Sequence, residues 1–248
     1  FYSEEKRALA IELGVDPYSS NPKLQEMMKQ IAANKAWGKA AVDLGKIFIP
    51  GAAGIVVGIG DIKSEMSSLL KDKTPAELKR LNAKKLKAMG APDYLIQKFI
   101  THPEYSPTQT TAITLCLEAL KEVKTRENFI AMALDVTSEE ECLFMQRMAE
   151  MMAQYHTSGD TSGETRVARL TELLFMDGLC VAIGQNNKMI VFLPADHIYW
   201  TKEIELYSQI PLQKTDVAGY QVYITGTLSE KTKQEWIKLG YEINVFLF

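Results

Sequence analysis

The sequence predicts an α+β protein in which a mostly helical region, up to about residue 157, precedes a smaller sheet domain. In the first part, apolar residues recur at the spacing of amphipathic helices. A small, polar stretch with two glycines follows at Thr157–Thr165, and beyond it come short β-prone segments separated by turn residues. We therefore divide the chain into a helical domain, 1–157, a linker, 158–165, and an α/β sheet domain, 166–248.

Composition and charge restrict the classes of function. The 248 residues are 46% apolar and 24% charged, as in ordinary globular proteins. The net charge of -3 arises after residue 157, where 11 acidic side chains stand against 8 basic ones, whereas the first part carries 20 of each. Neither part has the clearly basic character that duplex nucleic acid requires, so we expect no nucleic-acid partner.

Cysteine and histidine give no sign of a metal site or a disulfide framework. Cys116, Cys142 and Cys180 are far apart in apolar surroundings, which predicts buried thiols. The three histidines lack the spacing that places two imidazoles on one face of an element. We expect no structural metal and no cofactor. The unpaired cysteines favour a reducing compartment only weakly, so cytoplasmic, cell-envelope and exported locations all stay open.

The chain begins with two predicted helices and then an unusual apolar run. Ser3 caps a short helix that Gly14 ends, and Asn21-Pro22 begins a second helix that continues to about Leu44. The run that follows, Ile47–Gly60, contains no charged or polar side chain.

This Gly-rich apolar run is shorter than the roughly 20 residues that cross a bilayer, and Pro50 interrupts it, so we expect no simple transmembrane span. Gly54 and Gly58 have the spacing that permits close helix contact. The run then serves either as a buried core helix or as a contact with a membrane or a protein partner. The contact residues of the second alternative are Ile55, Val56 and Val57.

A basic segment follows the apolar run. Between residues 63 and 98, nine basic side chains stand against four acidic ones. A capping box at Thr74-Pro75-Ala76-Glu77 begins a helix that continues to about Met89 and carries most of them. Lysine-rich faces are common on solvated helices, and they also suit contact with anionic lipid or an acidic protein. The candidate contact residues are Lys79, Arg80, Lys84 and Lys85.

The rest of the helical domain alternates turns and helices. Proline-led helix starts occur at Ala91-Pro92, His102-Pro103 and Ser106-Pro107, and further helices are predicted near 129–134 and from Thr137 to about His156.

In the sheet domain we expect a three-stranded antiparallel meander followed by a βαβ unit. The meander consists of Leu170–Met176, Leu179–Gly184 and Met189–Pro194, with Asp177-Gly178 as the residue pair of a type I′ hairpin. Asp196 is expected to cap a helix after the third strand. The βαβ unit comprises a strand at Tyr220–Thr225, a helix capped by Ser229 and a parallel strand at Tyr241–Leu247.

One turn of the βαβ unit is an alternative ligand site. Thr225, Gly226, Thr227 and Ser229 lie between the carboxyl end of a parallel strand and a helix N-terminus, where N–H groups attract anions. Every βαβ unit has such a turn, in which Gly226 would serve the bend and Ser229 the cap. Asp196 and His197 are the residues that an enzyme site there would add.

The segment Leu13–Pro22, which reads Leu-Gly-Val-Asp-Pro-Tyr-Ser-Ser-Asn-Pro, resembles one found in a group of uncharacterised bacterial proteins. In that group it also precedes a Gly-rich apolar run and a helical region. The resemblance implies a bacterial source and adds no catalytic residue, because the group has no known activity.

Together these features favour a non-enzymatic interaction protein. The apolar run beside the basic helix is the most distinctive feature, and no set of acid, base and nucleophile accompanies it. The expected function is contact with a protein partner or an anionic membrane surface. The alternative is an anion-binding protein, or an enzyme, with its site at Thr225–Ser229.

Overall fold

The computed structural model describes residues 4–19, 22–36, 60–158 and 169–247. Three expectations fall wholly or largely outside these ranges. They are the apolar run up to residue 59, which includes Ile55, Val56 and Val57; the second helix beyond Ala36; and the linker beyond Ser158.

The α+β fold class is confirmed, with helices before a mixed sheet. The helices of the first part are α1 (Glu4–Glu12), α2 (Pro22–Ala36), α3 (Gly60–Asp72), α4 (Pro75–Ala88), α5 (Asp93–Ile100), α6 (Pro107–Ala119), α7 (Asn128–Ala133) and α8 (Glu139–Ser158). Capping boxes at Thr74 and Ser106 fix the starts of α4 and α6, because each side chain accepts from the third helical N–H while the Glu or Gln there accepts from the cap N–H.

Two expectations in the helical region are corrected. His102-Pro103 begins no helix; the chain turns there, and α6 begins only after the capping hydroxyl of Ser106. Pro103 lacks a side-chain cap of that kind immediately before it, and a proline alone does not satisfy the first N–H groups of a helix. Helix α8 also continues two residues beyond its expected end near His156, since Thr157 and Ser158 belong to it and donate their hydroxyls to carbonyls one turn earlier.

The second part forms a five-stranded sheet in the order β1-β2-β3-β5-β7. Its strands are β1 (Leu170–Met176), β2 (Leu179–Gly184), β3 (Lys188–Leu193), β5 (Gly219–Ile224) and β7 (Tyr241–Val245). A short parallel pair, β4 (His197–Ile198) and β6 (Thr227–Leu228), lies apart from it. Helix α9 (Lys202–Gln209), a 3-10 turn (Pro211–Gln213) and α10 (Glu230–Lys238) complete this part.

The meander and the βαβ unit are both confirmed. β1, β2 and β3 pair antiparallel, while β3, β5 and β7 pair parallel. Asp177 and Gly178 take φ values of +45° and +84°, the positive pair that a type I′ hairpin requires. Ser229 caps α10 by accepting from the Thr232 N–H.

The expected cap at Asp196 is wrong. The chain first forms β4, whose residue His197 pairs with Thr227, and only then turns into α9. Thr201 caps α9 instead, because its hydroxyl accepts from the Ile204 N–H at 3.2 Å. The Asp196 carbonyl oxygen accepts from Thr227, which draws residue 196 into the parallel pair.

The sheet is buried on both faces. Alternate residues such as Cys180, Ala182 and Phe192 share one core with the helical region, where the rings of Tyr155 in α8 and Phe192 lie 5.5 Å apart. Their neighbours, such as Val181, point to the opposite face and pack beneath α9 and α10. The division into domains at residue 157 stays a prediction; residues on both sides of that point contribute to the first core.

Asp16, in the segment that carries the bacterial resemblance, joins the N-terminal turn to α6. This carboxylate is 6% exposed and accepts hydrogen bonds from the Ser106 and Thr108 hydroxyls and from the Tyr18 N–H. Burial raises the pKa of Asp16, and the three hydrogen bonds offset this shift only in part. The segment therefore connects the turn after α1 to the N-terminus of α6.

The position of Asp16 makes a prediction about stability. Asp16→Ala leaves one buried and two partly buried donors without their acceptor and should lower the free energy of unfolding by about 1 to 3 kcal/mol. Asp16→Asn keeps the shape and one acceptor oxygen, so its loss should be smaller. Urea unfolding followed by circular dichroism measures both. If both variants lose the same amount of stability, the acceptor oxygens of Asp16 do not make the expected contribution.

The same pair of variants tests the raised pKa. The folded protein holds a proton on Asp16 more readily than the unfolded chain does. The stability that this proton contributes is therefore fully present below the ordinary aspartate pKa, and it is lost as the pH rises through the higher pKa of the folded state. As the pH rises above about 4, Asp16→Asn should therefore lose less stability than the unmodified protein.

Candidate functional site

The exposed side of α4 is the first candidate site. Leu78, Asn82 and Leu86 turn one face of this helix into the core. Lys79, Arg80 and Lys84 lie on the other face, where all three side chains are exposed. Within the described residues, none of these three cations forms an ion pair with a carboxylate.

Lys85, the fourth predicted contact residue, has a different environment. Its side chain is 18% exposed, and its ammonium donates to Glu118 of α6 at 2.5 Å and to Glu65 of α3 at 3.2 Å. Partial burial lowers the pKa of Lys85, but the hydrogen bonds to the two carboxylates outweigh burial and hold the pKa above its usual value. Lys85 therefore links three helices and presents little charge to a partner.

Helix α3 lies between the apolar run and the basic helix α4 in the sequence, and an ion pair joins it to α4. α3 begins at Gly60, the last residue of that run, and Lys85 joins it to α4 through Glu65. The structure thus connects the basic helix to the end of the apolar run through one helix, although the run itself lies outside the described residues.

The strand-to-helix turn Thr225–Ser229 is the second candidate site, and its groups already have structural partners. The N–H groups of Thr227 and Ser229 donate to the carbonyls of Asp196 and Ile198, both at 3.0 Å. Gly226 touches the same segment, since a Cβ there would lie 2.0 Å from the Asp196 carbonyl oxygen. An anion at this turn would have to compete with β4 for these N–H donors.

Asp196 and His197 are exposed and do not form an acid-base pair in the described structure. The His197 Nδ1 lies 2.6 Å from the Thr227 hydroxyl, and its ring stands 4.3 Å from that of Tyr199. The Asp196 backbone carbonyl accepts from the Thr227 N–H, and His197 Nδ1 contacts the Thr227 hydroxyl and not the Asp196 carboxylate. Asp196 is therefore not placed to orient the imidazole as the carboxylate of a catalytic triad does.

The cysteines are buried thiols, as the sequence predicts. All three are unpaired and fully covered, and burial alone raises the pKa of Cys180 to about 12. A thiol so far from ionisation is a poor nucleophile. In the ranges that the structure describes, no group of three or more His, Cys, Asp or Glu side chains is placed to hold a metal ion.

None of the helices in the described ranges combines the length and the apolar character needed to span a bilayer. Even α8, with 20 residues, includes Glu139, Glu140, Glu141, Arg147 and Glu150.

A cavity that the sequence did not reveal lies between the sheet and α9. It has a volume of about 280 Å³, and its walls include Val191, Leu193 and Val222 of the sheet, Ile204 and Tyr207 of α9, and Trp236 of α10. At one end the cavity also meets the helical region, through Met132 of α7 and Phe144 and Met148 of α8. Sequence patterns place these residues on the inner faces of their elements. They cannot show that the inner faces stay apart, because that depends on how three elements dock.

The geometry of Gly226 yields a prediction. Gly226→Ala should separate β6 from the backbone of residues 195 and 196 and lower stability by about 1 to 3 kcal/mol, as overpacking does. Gly184→Ala is a matched control, because its close contact, at 2.8 Å, is the flexible side-chain end of Asn186. Thermal unfolding of both variants measures the difference. If Gly226→Ala does not lower stability, the turn lacks this structural role, and the alternative that it binds an anion becomes stronger.

Comparisons of this chain with protein-family models, with curated proteins and with solved structures found no match. The resemblance carried by Leu13–Pro22 therefore stays a prediction.

Proposed function

We propose that this protein is a non-enzymatic interaction protein that contacts an anionic membrane surface through the exposed face of α4. One observation carries the proposal: Lys79, Arg80 and Lys84 share an exposed helix face and have no carboxylate partner within the described residues. The Gly-rich apolar run, Ile47–Gly60, supplies the second contact through Ile55, Val56 and Val57.

Magnitudes explain why two contacts are needed. Each Lys or Arg near an anionic leaflet contributes about 1 kcal/mol, so three cations give about 3 kcal/mol, roughly a hundredfold preference for the surface. That is too weak for stable attachment by itself. A partly inserted apolar segment is also marginal alone, but the two contributions add when both contacts are made by one chain.

The alternative function, an anion-binding protein or an enzyme at Thr225–Ser229, stays a prediction of lower rank. The N–H groups that would bind the anion donate to β4 instead, and Gly226 serves the close approach of two backbones. A contact with an acidic protein is the nearer alternative, because it would use the same α4 cations.

Vesicle binding tests the membrane contact. Sedimentation with vesicles that contain phosphatidylserine should exceed sedimentation with pure phosphatidylcholine, and it should weaken as salt shortens the Debye length from about 10 Å toward 3 Å. Changing Lys79, Arg80 and Lys84 together to Glu should abolish the preference. Lys85 is left unchanged, since its loss would break the ion pairs to Glu65 and Glu118.

The matched control changes Lys202, Lys231 and Lys233 to Glu. These exposed lysines belong to α9 and α10, so the net charge changes equally while the α4 face stays intact. Retained binding in the control and lost binding in the α4 variant support the proposal. Equal loss in both would reduce it to non-specific attraction, and no preference in the unmodified protein would leave the acidic protein as the partner to seek.

Ile55→Asp tests the apolar contact. If Ile55 inserts into the membrane, the variant should stay folded by circular dichroism and lose vesicle binding. If Ile55 belongs to a core, an unpaired buried carboxylate costs several kcal/mol and the variant should unfold. A folded variant that binds vesicles as well as the unmodified protein would remove the apolar run from the proposal.

A further inference from the structure

We propose that the cavity between the sheet, α9 and α10 is a binding site for a small uncharged ligand with a hydrocarbon chain. This inference does not depend on the membrane contact of α4, because the two places share no residue. It rests on the lining of the cavity, its volume and the position of its entrance.

The lining excludes charged and strongly polar ligands. No lining residue is charged, and the main polar atoms bind one another: Trp236 Nε1 donates to the Ser208 hydroxyl at 2.8 Å, and the Tyr241 hydroxyl donates to the Ser208 carbonyl at 2.8 Å. The Ser208 hydroxyl in turn donates to the Ile204 carbonyl at 2.5 Å. Tyr207, the other lining residue with a hydroxyl, is half exposed at the edge of the cavity. A polar ligand group in the deep part, near Ser208 and Trp236, would lose its hydration without gaining a partner, which costs free energy.

The volume is too large for an ordinary packing defect. Protein interiors contain few voids larger than a water molecule, and a cavity of about 150 Å³ lined by aliphatic and aromatic side chains stays dry and binds benzene. The cavity here is about 280 Å³, close to the lower end of small-ligand pockets, roughly 300 to 1,000 Å³. The cavity is therefore large and apolar enough to hold a short hydrocarbon chain.

The entrance gives the ligand its orientation. Among the lining residues, Gly178 in the β1-β2 turn is exposed and Tyr207 is half exposed, so the opening lies between this turn and α9. Next to it, the Gln213 amide donates to the Asp177 carboxylate at 3.2 Å. A chain that enters here keeps its polar end in solvent beside these polar groups, while its hydrocarbon part reaches Val222 and Trp236.

Decanol, an uncharged single chain, is a suitable probe. Because it would bind the folded protein and not the unfolded chain, decanol should raise the melting temperature in a saturable way. A decanol brominated at its far end should quench Trp236 in a Trp37→Phe, Trp200→Phe background, where Trp236 is the remaining tryptophan of the three. Saturable quenching with the same midpoint as the thermal shift would place the chain in this cavity.

Filling the cavity provides the variant. Val222→Phe places a ring in the empty space and should weaken decanol binding about tenfold or more while keeping cooperative unfolding. Val245→Phe is the matched control, since Val245 is 62% exposed on β7 and does not line the cavity. If Val222→Phe does not fold, Leu193→Trp at the half-buried end of β3 takes its place.

Three outcomes would overturn the inference. They are no thermal shift with decanol in the unmodified protein, quenching that rises without saturation, and equal binding by the cavity-filling and control variants. A fourth outcome comes from light scattering. If the protein is a dimer whose second copy covers the entrance, that copy and not a small ligand occupies this face. The Lys79, Arg80 and Lys84 variant should bind decanol normally, so failure of one proposal is distinguishable from failure of the other.

Discussion

Burial of the central sheet on both faces is the constraint on which the rest of the structure depends. β2 and β3 carry apolar residues on successive positions, such as Cys180, Val181 and Ala182, and a strand of this kind requires a cover on each side. The helical region, chiefly α7 and α8, covers one face. Among the described residues, α9, α10 and the short 3-10 turn cover the other face, and these elements are short beside α8.

This imbalance explains why the cavity lies where it does. α9 has eight residues and α10 has nine, whereas α8, on the opposite face, has 20. Two helices this short leave part of the space above the sheet open unless large side chains fill it. Trp236 of α10 and Tyr241 of β7 extend toward this space, and both donate hydrogen bonds to Ser208 of α9, which joins α9 to α10 and to the sheet.

Local chemistry made much of the fold predictable from the sequence. β1 ends and β2 begins where expected because Asp177-Gly178 supplies two positive φ angles. α4 begins where expected because Thr74 and Glu77 complete a capping box. These signals act within a few residues. The error at Asp196 was of the opposite kind, because a long-range contact prevailed over a local signal. Asp196 is a good capping residue before an apolar pattern, but its carbonyl oxygen accepts from Thr227, which is distant in sequence, and the chain forms β4 there instead of a helix.

The candidate site was less predictable for the same reason. The nine basic residues of the segment 63–98 look alike in sequence, yet Lys85 is neutralised by Glu65 and Glu118, which lie 20 and 33 positions away. Sequence reasoning correctly located the basic helix but could not tell a partner-facing lysine from one that joins helices. Likewise, nothing local marks Gly226 as a contact of the Asp196 backbone rather than as part of an anion-binding turn.

The two proposed sites share no residue, and the elements between them decide whether they influence each other. The α4 face belongs to the helical core, in which α4 packs against α5 and α6. The cavity lies mainly on the other face of the sheet, but Met132 of α7 and Phe144 and Met148 of α8 also line it. Sites without shared partners usually behave additively, so coupling between them would require a change in a connecting element. Helix α8 is such an element, because it reaches the cavity through Met148 and packs against α6, which in turn packs against α4.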